Sequence, residues 1–252
     1  MKERFKGPPD PERKKIMAYK KSSIDKVIQS AKKLEKQLVK VIDTLKVCIS
    51  KGNRKIGKVM NVSLMPILTC HNCKECKKLC YDIKACLQYA NTVLPARVKN
   101  TVLAKYDRDR FFDEIDKACS RRRLHKYFRW HVAGDILDMD YFERMLTICR
   151  NHADFKFWTY TKYYTIVNMY CDKYGKDAIP ENFSIMFSEW DGMPLDNPYN
   201  FPVFSCKLKD GNKNRTENEF KSMYKCPGNC DVCKTGNGHG CIIGEDTYCD
   251  EH

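Results

Sequence analysis

With 252 residues, 42% of them hydrophobic and 12% aromatic, the chain has enough apolar surface to bury a core, which excludes a disordered tail. No run approaches the ~18 apolar residues of a membrane span, and the Lys-rich start lacks the apolar stretch of a signal peptide, so a cytoplasmic address without a membrane partner is expected. The formal charge of +14 is gathered at one end, where residues 1–60 hold 18 Lys or Arg against 6 Asp or Glu; such a segment either grips nucleic acid phosphates or simply solvates a helix face.

Pro8, Pro9 and Pro11 among charges, with no apolar period, predict a mobile basic leader over residues 1–21. From Ser22, spaced from Asp25 as in a capping box, Ile24, Val27, Ile28, Ala31, Leu34, Leu38, Val41, Ile42 and Leu45 recur at three and four residues. A long basic amphipathic helix is therefore expected within 22–54. After the Gly52-Asn53 turn signal, residues 56–65 read as a strand rich in β-branched and apolar side chains. Helices follow at 81–92 and 95–119, the second opened by Pro95 in its first turn, and then a strand at 127–133. Beyond it come a helix at 138–152 capped by Asp138, a strand at 155–160, a helix at 163–173, and strands at 183–188 and 203–206. Such alternation implies parallel pairing through right-handed crossovers. The expected fold class is α/β, as an open parallel sheet with crossover helices or a partial TIM-type barrel. The expected division is a leader at 1–21, the basic helix at 22–54, an α/β metal-binding domain at 55–210 and a Cys-rich C-terminal metal-binding segment at 211–252.

Fifteen cysteines in a reducing compartment read as ligands in preference to disulfide partners. Cys70, Cys73, Cys76 and Cys80 stand as C-x2-C-x2-C-x3-C, the run with which bacterial ferredoxins hold four-iron clusters, although Tyr81 takes the place of the usual Pro. Cys226, Cys230 and Cys233 stand as C-x3-C-x2-C, the spacing with which radical S-adenosylmethionine enzymes leave one iron open to the cofactor. With Cys241 as a fourth ligand that site is closed, hence structural or electron-transferring, and zinc suits it as well as an iron-sulfur cluster. Cys86, Cys119, Cys149, Cys171 and Cys206 are scattered singly and read as small buried hydrophobes.

In a parallel sheet ligands gather at the carboxyl ends of the strands, and those ends are polar here. The first strand runs into residues 70–80, the second into His131, Gly134 and Asp135, the third into Thr161 and Lys162, the fourth into Ser188, Glu189 and Trp190, and the last leads toward 226–241. Each has a plain reading beside the cofactor-binding one. His131 reads as a core histidine or a ligand, and Asp135 as a helix cap or a partner for a ligand's hydroxyls. Lys162 is a solvated lysine or a holder of carboxylate or phosphate. Glu189 is a solvated acid or, beside Trp190, a holder of an amine or a stacked base. No Walker loop, dinucleotide fingerprint or nucleophile elbow is present, which argues against NTPase, dehydrogenase and hydrolase chemistry.

Residues 60–81, the run Arg129-Trp130-His131-Val132-Ala133-Gly134-Asp135-Ile136, then Tyr160-Thr161-Lys162 and Phe187-Ser188-Glu189-Trp190 together resemble the phage and mobile-element gene product 88 family, from about residue 55 to the C-terminus. The same ordered segments are similar to a phage radical-SAM-like barrel family. That resemblance implies an iron-sulfur cluster, a partial TIM-type barrel and reductive cleavage of S-adenosylmethionine; the chain departs from its pattern by the order C-x2-C-x3-C in the first cluster. Two functions follow as expectations. One is a radical-SAM-like iron-sulfur enzyme that modifies a nucleic acid or nucleotide-related substrate. The other is a non-catalytic nucleic-acid-binding protein of a phage or mobile element, stabilised by zinc or iron-sulfur.

Overall fold

The computed structural model describes residues 21–53, 56–73, 76–235 and 239–251, so the expected leader lies, Lys21 apart, outside the described residues. Helix α1 (Lys21–Val39) lays Ile24, Val27 and Ala31 into the core and leaves Lys26, Lys32, Lys33, Lys36 and Lys40 exposed beside it. Ser22 lies inside this helix and is not its cap. The helix also ends far short of residue 54. Arg110 donates to the carbonyls of Ile42 and Asp43 within a short 3-10 turn (Ile42–Thr44). Glu114 and the Asn100 carbonyl oxygen then accept from the Val47 and Cys48 N–H groups, so the backbone bonds that would extend the helix go to side chains instead.

The chain next forms β1 (Met60–Val62), α2 (Tyr81–Gln88), α3 (Val93–Tyr106), α4 (Arg108–Ser120) and β2 (Tyr127–Trp130). One helix was expected over 95–119. Two form, because Asp107 leaves helical geometry at φ −147° and ψ 61°. The alternation continues with α5 (Met139–Asn151), β3 (Lys156–Thr161), α6 (Tyr164–Tyr174), β4 (Phe183–Ser188) and β5 (Val203–Lys207). Asp138 caps α5 as expected, accepting from the Tyr141 N–H at 2.9 Å. The last part adds α7 (Glu217–Lys221), β6 (Tyr224–Lys225), α8 (Cys230–Thr235) and β7 (Thr247–Asp250).

All seven strands pair in parallel in the order β1-β2-β3-β4-β5-β7-β6. The sheet is open, with β1 and β6 as edges, and is not a closed barrel. Five consecutive strands laid down in sequence order put their crossovers on one face when each is right-handed. The alternation of side chains shows what each face meets. Phe128, Trp130, Phe157, Ile185 and Phe187 join the main core with the helices. Tyr127, Trp158, Tyr160, Met186 and Phe204 turn the other way and meet Ile56 and Val59 together with Cys230, Cys241 and Ile242. The C-terminal segment is thus built into the sheet at β6 and β7 and also covers its second face. No helix among the described residues is long and apolar enough to cross a membrane.

Candidate site at the strand ends

The loop after β1 is fastened to its neighbours before its cysteines are reached. Leu64 N–H donates to the Ala133 carbonyl at 2.9 Å and Met65 N–H to the Thr101 hydroxyl at 2.8 Å. Ile67 and Asn72 take left-handed backbone at φ 68° and 50°, turning the loop back over the strand ends. Asn72 donates to the Lys162 carbonyl at 2.9 Å, and the His71 ring stacks on Tyr163 with 3.6 Å between centroids. These contacts seat the loop on the end of β3. Within it the Cys76 and Cys73 sulfurs lie 3.7 Å apart, and Cys70 hydrogen-bonds Cys73 in turn. The bond with Cys73, helped by the charge of Lys162, draws the Cys76 thiol down to about 6 and lowers Cys70 as well; burial pushes Cys80 up to about 11. Cys86, read as a buried hydrophobe, is buried on α2 close to Asp82, whose carboxylate pairs with Arg97 at 3.1 Å.

After β2 the chain passes through His131 and Gly134, both with positive φ (52° and 83°). A side chain on Gly134 would place its Cβ 2.7 Å from Leu64 Cβ and from Thr69 Oγ1, so only glycine lets this loop lie against the one carrying the cysteines. Asp135 is buried and accepts from Thr161 Oγ1 at 2.7 Å, Lys162 N–H at 3.0 Å and Ile136 N–H at 2.8 Å. Burial raises its carboxyl against these three bonds. It clamps the end of β3 and does not cap α5, which Asp138 does. Lys162 extends to the Ser188 hydroxyl at 3.1 Å, and Tyr164 donates to the Ser188 carbonyl at 2.6 Å.

Asp135, Thr161, Lys162 and Ser188 therefore form one connected group under the first cysteine loop. The other nominated residues stand apart from it. Because of its positive φ, His131 leaves the strand's alternation, and its ring is buried against Tyr141 of α5, Nε2 to hydroxyl 3.0 Å. Burial holds that imidazole down at about 3, and it is a core histidine facing the helices. Glu189 is buried and already answered by Arg215, with Ser205 donating to the same carboxylate oxygen. Trp190 lines a cavity of about 380 Å³ with Asp191, Gly192, Leu208 and Lys213, none of which belongs to the connected group. Asp191 is engaged by the Lys213 and Asn214 N–H groups at 2.6 and 3.2 Å.

The second cysteine set lies at the far side of the sheet. Cys226 N–H donates to the Tyr248 carbonyl at 2.7 Å, and the Cys241 carbonyl accepts from Ser184 at 2.6 Å, which ties both to strands. Cys206 and Cys249 are register partners on β5 and β7 and hydrogen-bond through sulfur, so neither is the isolated hydrophobe that the spacing of Cys206 suggested. None of the described cysteines is in a disulfide. Among the described residues no three His, Cys, Asp or Glu side chains are gathered tightly about one point as metal ligands. Cysteine sulfur is the donor a thiophilic metal takes, and the nearest approach of two such donors in the first set is the 3.7 Å between Cys73 and Cys76.

Arg129 and Tyr160 stood in the sequence only among the residues that carry the family resemblance, and neither they nor Arg215 were nominated as site residues. The readable sign of Arg129 is its position, a charge between Phe128 and Trp130 in a strand expected to be buried on both faces.

A family model described as Gene product 88 matches residues 26–198. The match begins inside α1 and stops before β5, whereas the resemblance was expected to start near residue 55 and reach the C-terminus. No curated protein and no solved structure matches the chain.

Proposed function

The chain belongs to the gene product 88 family, and from the arrangement at its strand ends we propose that it is an iron-sulfur enzyme working at the carboxyl ends of β1 to β4, with a nucleic acid or nucleotide-related substrate. One observation carries this reading: mutually hydrogen-bonded Cys70, Cys73 and Cys76 lie beside Lys162, on the face where Asp135 and Ser188 are held. Cys73, Cys76 and Cys80, with Cys70 alongside, would hold a cluster that supplies single-electron reduction, and S-adenosylmethionine is the cosubstrate that this placement favours. Lys162 offers a cation for a carboxylate or phosphate, while Asp135 fixes the backbone from which Lys162 extends. The stack of His71 on Tyr163 fixes one side of the loop against the start of α6. Cys226, Cys230, Cys233 and Cys241 would hold a second, closed centre.

The test is metal and sulfide analysis of anaerobically purified protein, with an electronic spectrum and spin resonance after reduction. Iron and sulfide lost on Cys73→Ser and Cys76→Ser, together with cleavage of S-adenosylmethionine by the reduced protein, is the expected result. Iron-free protein, or intact S-adenosylmethionine after reduction of a loaded cluster, overturns the corresponding half of the reading.

A second reading has one distance in its favour. The 3.7 Å between Cys73 and Cys76 matches the edge of a tetrahedron about a single ion, ~3.8 Å for a zinc-sulfur bond of ~2.3 Å. A zinc-stabilised protein gripping nucleic acid through the exposed lysines of α1 would then bind in a strongly salt-dependent way, and would contain zinc even when made without oxygen.

A further inference from the structure

Between the loop that leaves β4 and the loop that leaves β5 lies the cavity of about 380 Å³ lined by Trp190, Asp191, Gly192, Leu208 and Lys213. That volume falls in the ~300–1,000 Å³ range of small-molecule sites. It begins just beyond Ser188, at the same end of the sheet as the group formed by Asp135, Thr161, Lys162 and Ser188.

The two walls are fastened to each other. Asp191 Oδ1 accepts from the Lys213 and Asn214 N–H groups at 2.6 and 3.2 Å, and the Gly192 N–H donates to Asn214 Oδ1 at 3.2 Å. The Asn214 amide in turn donates to the Trp190 and Met193 carbonyls at 3.4 and 3.0 Å. Beside them the buried Glu189, at the end of β4, is paired with Arg215 and bonded by Ser205 of β5. The cavity is therefore formed before any ligand arrives, and a ligand would lose little of its binding free energy to ordering these loops.

The groups left over inside it are few and specific. Trp190 offers an aromatic face and Leu208 further apolar surface. Asp191 uses one oxygen on the backbone, and its Oδ2 has no partner among the described residues. Lys213 is exposed and makes no ion pair among them. Gly192, at φ +76°, has no atom within 4 Å of a built Cβ, which leaves that side open. A ring to stack on, an acceptor for one N–H and a cation together match a nucleotide whose base carries an exocyclic amine: the base stacks, the amine donates to the carboxylate and the phosphate meets the ammonium.

We propose that this cavity binds the substrate nucleotide through an amino-bearing base, with Trp190 as the stacking surface, Asp191 Oδ2 as the acceptor that selects the amine and Lys213 as the phosphate contact. The proposal rests on the reading of a nucleotide-related substrate and deepens it, but needs no metal at either cysteine set.

The experiment uses the full chain with adenosine and inosine monophosphates, which differ by amine against carbonyl on the same ring. Of the three tryptophans Trp130 and Trp158 are fully buried, so ligand quenching of fluorescence reports Trp190. Adenosine monophosphate should quench and bind about tenfold more tightly than inosine monophosphate. Calorimetry should show Trp190→Ala weakening it by roughly 10–100-fold. Lys213→Ala should bring the monophosphate down to the affinity of adenosine. Asp191→Asn keeps the oxygen that Lys213 and Asn214 bond and turns the free one into a donor, so it should melt as the wild type does and prefer inosine monophosphate. Absence of quenching by adenosine monophosphate, equal affinity for the two monophosphates, or a folded Asp191→Asn with the wild-type preference overturns the proposal. S-adenosylmethionine has the same base without the phosphate; if it binds here more tightly than the monophosphate, the cavity belongs to the cosubstrate and the proposal falls. Iron-loaded protein that cleaves S-adenosylmethionine but gives no nucleotide response overturns this assignment alone, whereas iron-free protein that binds nucleotides in the expected order overturns only the cluster.

Discussion

Replacing Gly134 by alanine should loosen the joint between the first cysteine loop and the loop after β2. The new Cβ would lie 2.7 Å from both Leu64 Cβ and Thr69 Oγ1. Neither neighbour can withdraw easily, since Leu64 is fully buried and the Thr69 hydroxyl is tied to the Met65 carbonyl at 2.8 Å. Holding alanine at φ +83° costs ~1–2 kcal/mol and forcing an extra carbon into a closed contact a further ~1–3 kcal/mol, so the loss should be about 2–5 kcal/mol. That is a large share of the ~5–15 kcal/mol by which a domain is stable. Gly211 supplies the comparison, because it too has positive φ (+87°) but no atom within 4 Å of a built Cβ. Gly211→Ala should therefore show the backbone cost alone, ~1–2 kcal/mol. Urea unfolding of the anaerobic protein separates the two: at a slope of ~2–3 kcal/mol per molar, Gly134→Ala should lower the midpoint by about 1 M or more, and Gly211→Ala by roughly half a molar. Equal shifts for the two variants would refute the close-contact reasoning.

Burial keeps the His131 imidazole neutral down to about 3, against ~6.5 in an unfolded chain, so on acidification the unfolded state takes up the proton first. Stability is then full above about pH 6.5 and falls below it, by about 2 kcal/mol at pH 5, and His131→Asn should flatten that slope in urea titrations at pH 5 and 7.5. Asp135→Ala strips three donors of their acceptor and should cost ~3 kcal/mol or more by chemical denaturation, whereas Asp135→Asn, which keeps an acceptor oxygen, should cost less. Charge reversal at Lys32 and Lys36 should leave stability within ~0.5 kcal/mol. If α1 grips nucleic acid, the same reversal should lower the salt slope of binding by roughly one unit for each phosphate no longer neutralised; an unchanged isotherm would remove α1 from the interface.

Where hydrophobic period and crossover length agreed, the chain could be read directly. The strands at β2, β3 and β4, the helices α5 and α6 and the cap at Asp138 stand near the expected places, and the polar ends of these strands do converge through Asp135, Thr161, Lys162 and Ser188. What escaped depended on distant partners. The end of α1 is decided by Arg110, Glu114 and Asn100, more than fifty residues away, and no local propensity records that. The strands β6 and β7 were hidden in a segment whose cysteines drew the reading toward ligand spacing, and Thr247–Asp250 has hardly any of the apolar character of the central strands. Of the two readings of His131 the core histidine is the one its burial supports, and the side on which it stands was hidden because one left-handed residue at the end of β2 reverses the side to which a side chain points. Arg129 and Arg215 were missed because a charge reads as surface until its burial is seen.

The position of β7 bears on how the chain is born. It slots between β5 and β6, so β6 has no neighbour until synthesis has passed Asp250. A nascent chain on the ribosome can therefore complete the helical layer and five strands while Tyr160, Trp158 and Met186 have only Ile56 and Val59 over them and still lack Cys230, Cys241 and Ile242. Closure of that side waits on the segment that carries β6 and β7, and a stop codon shortly before Thr247 would leave an unfinished sheet exposed to proteases and to self-association.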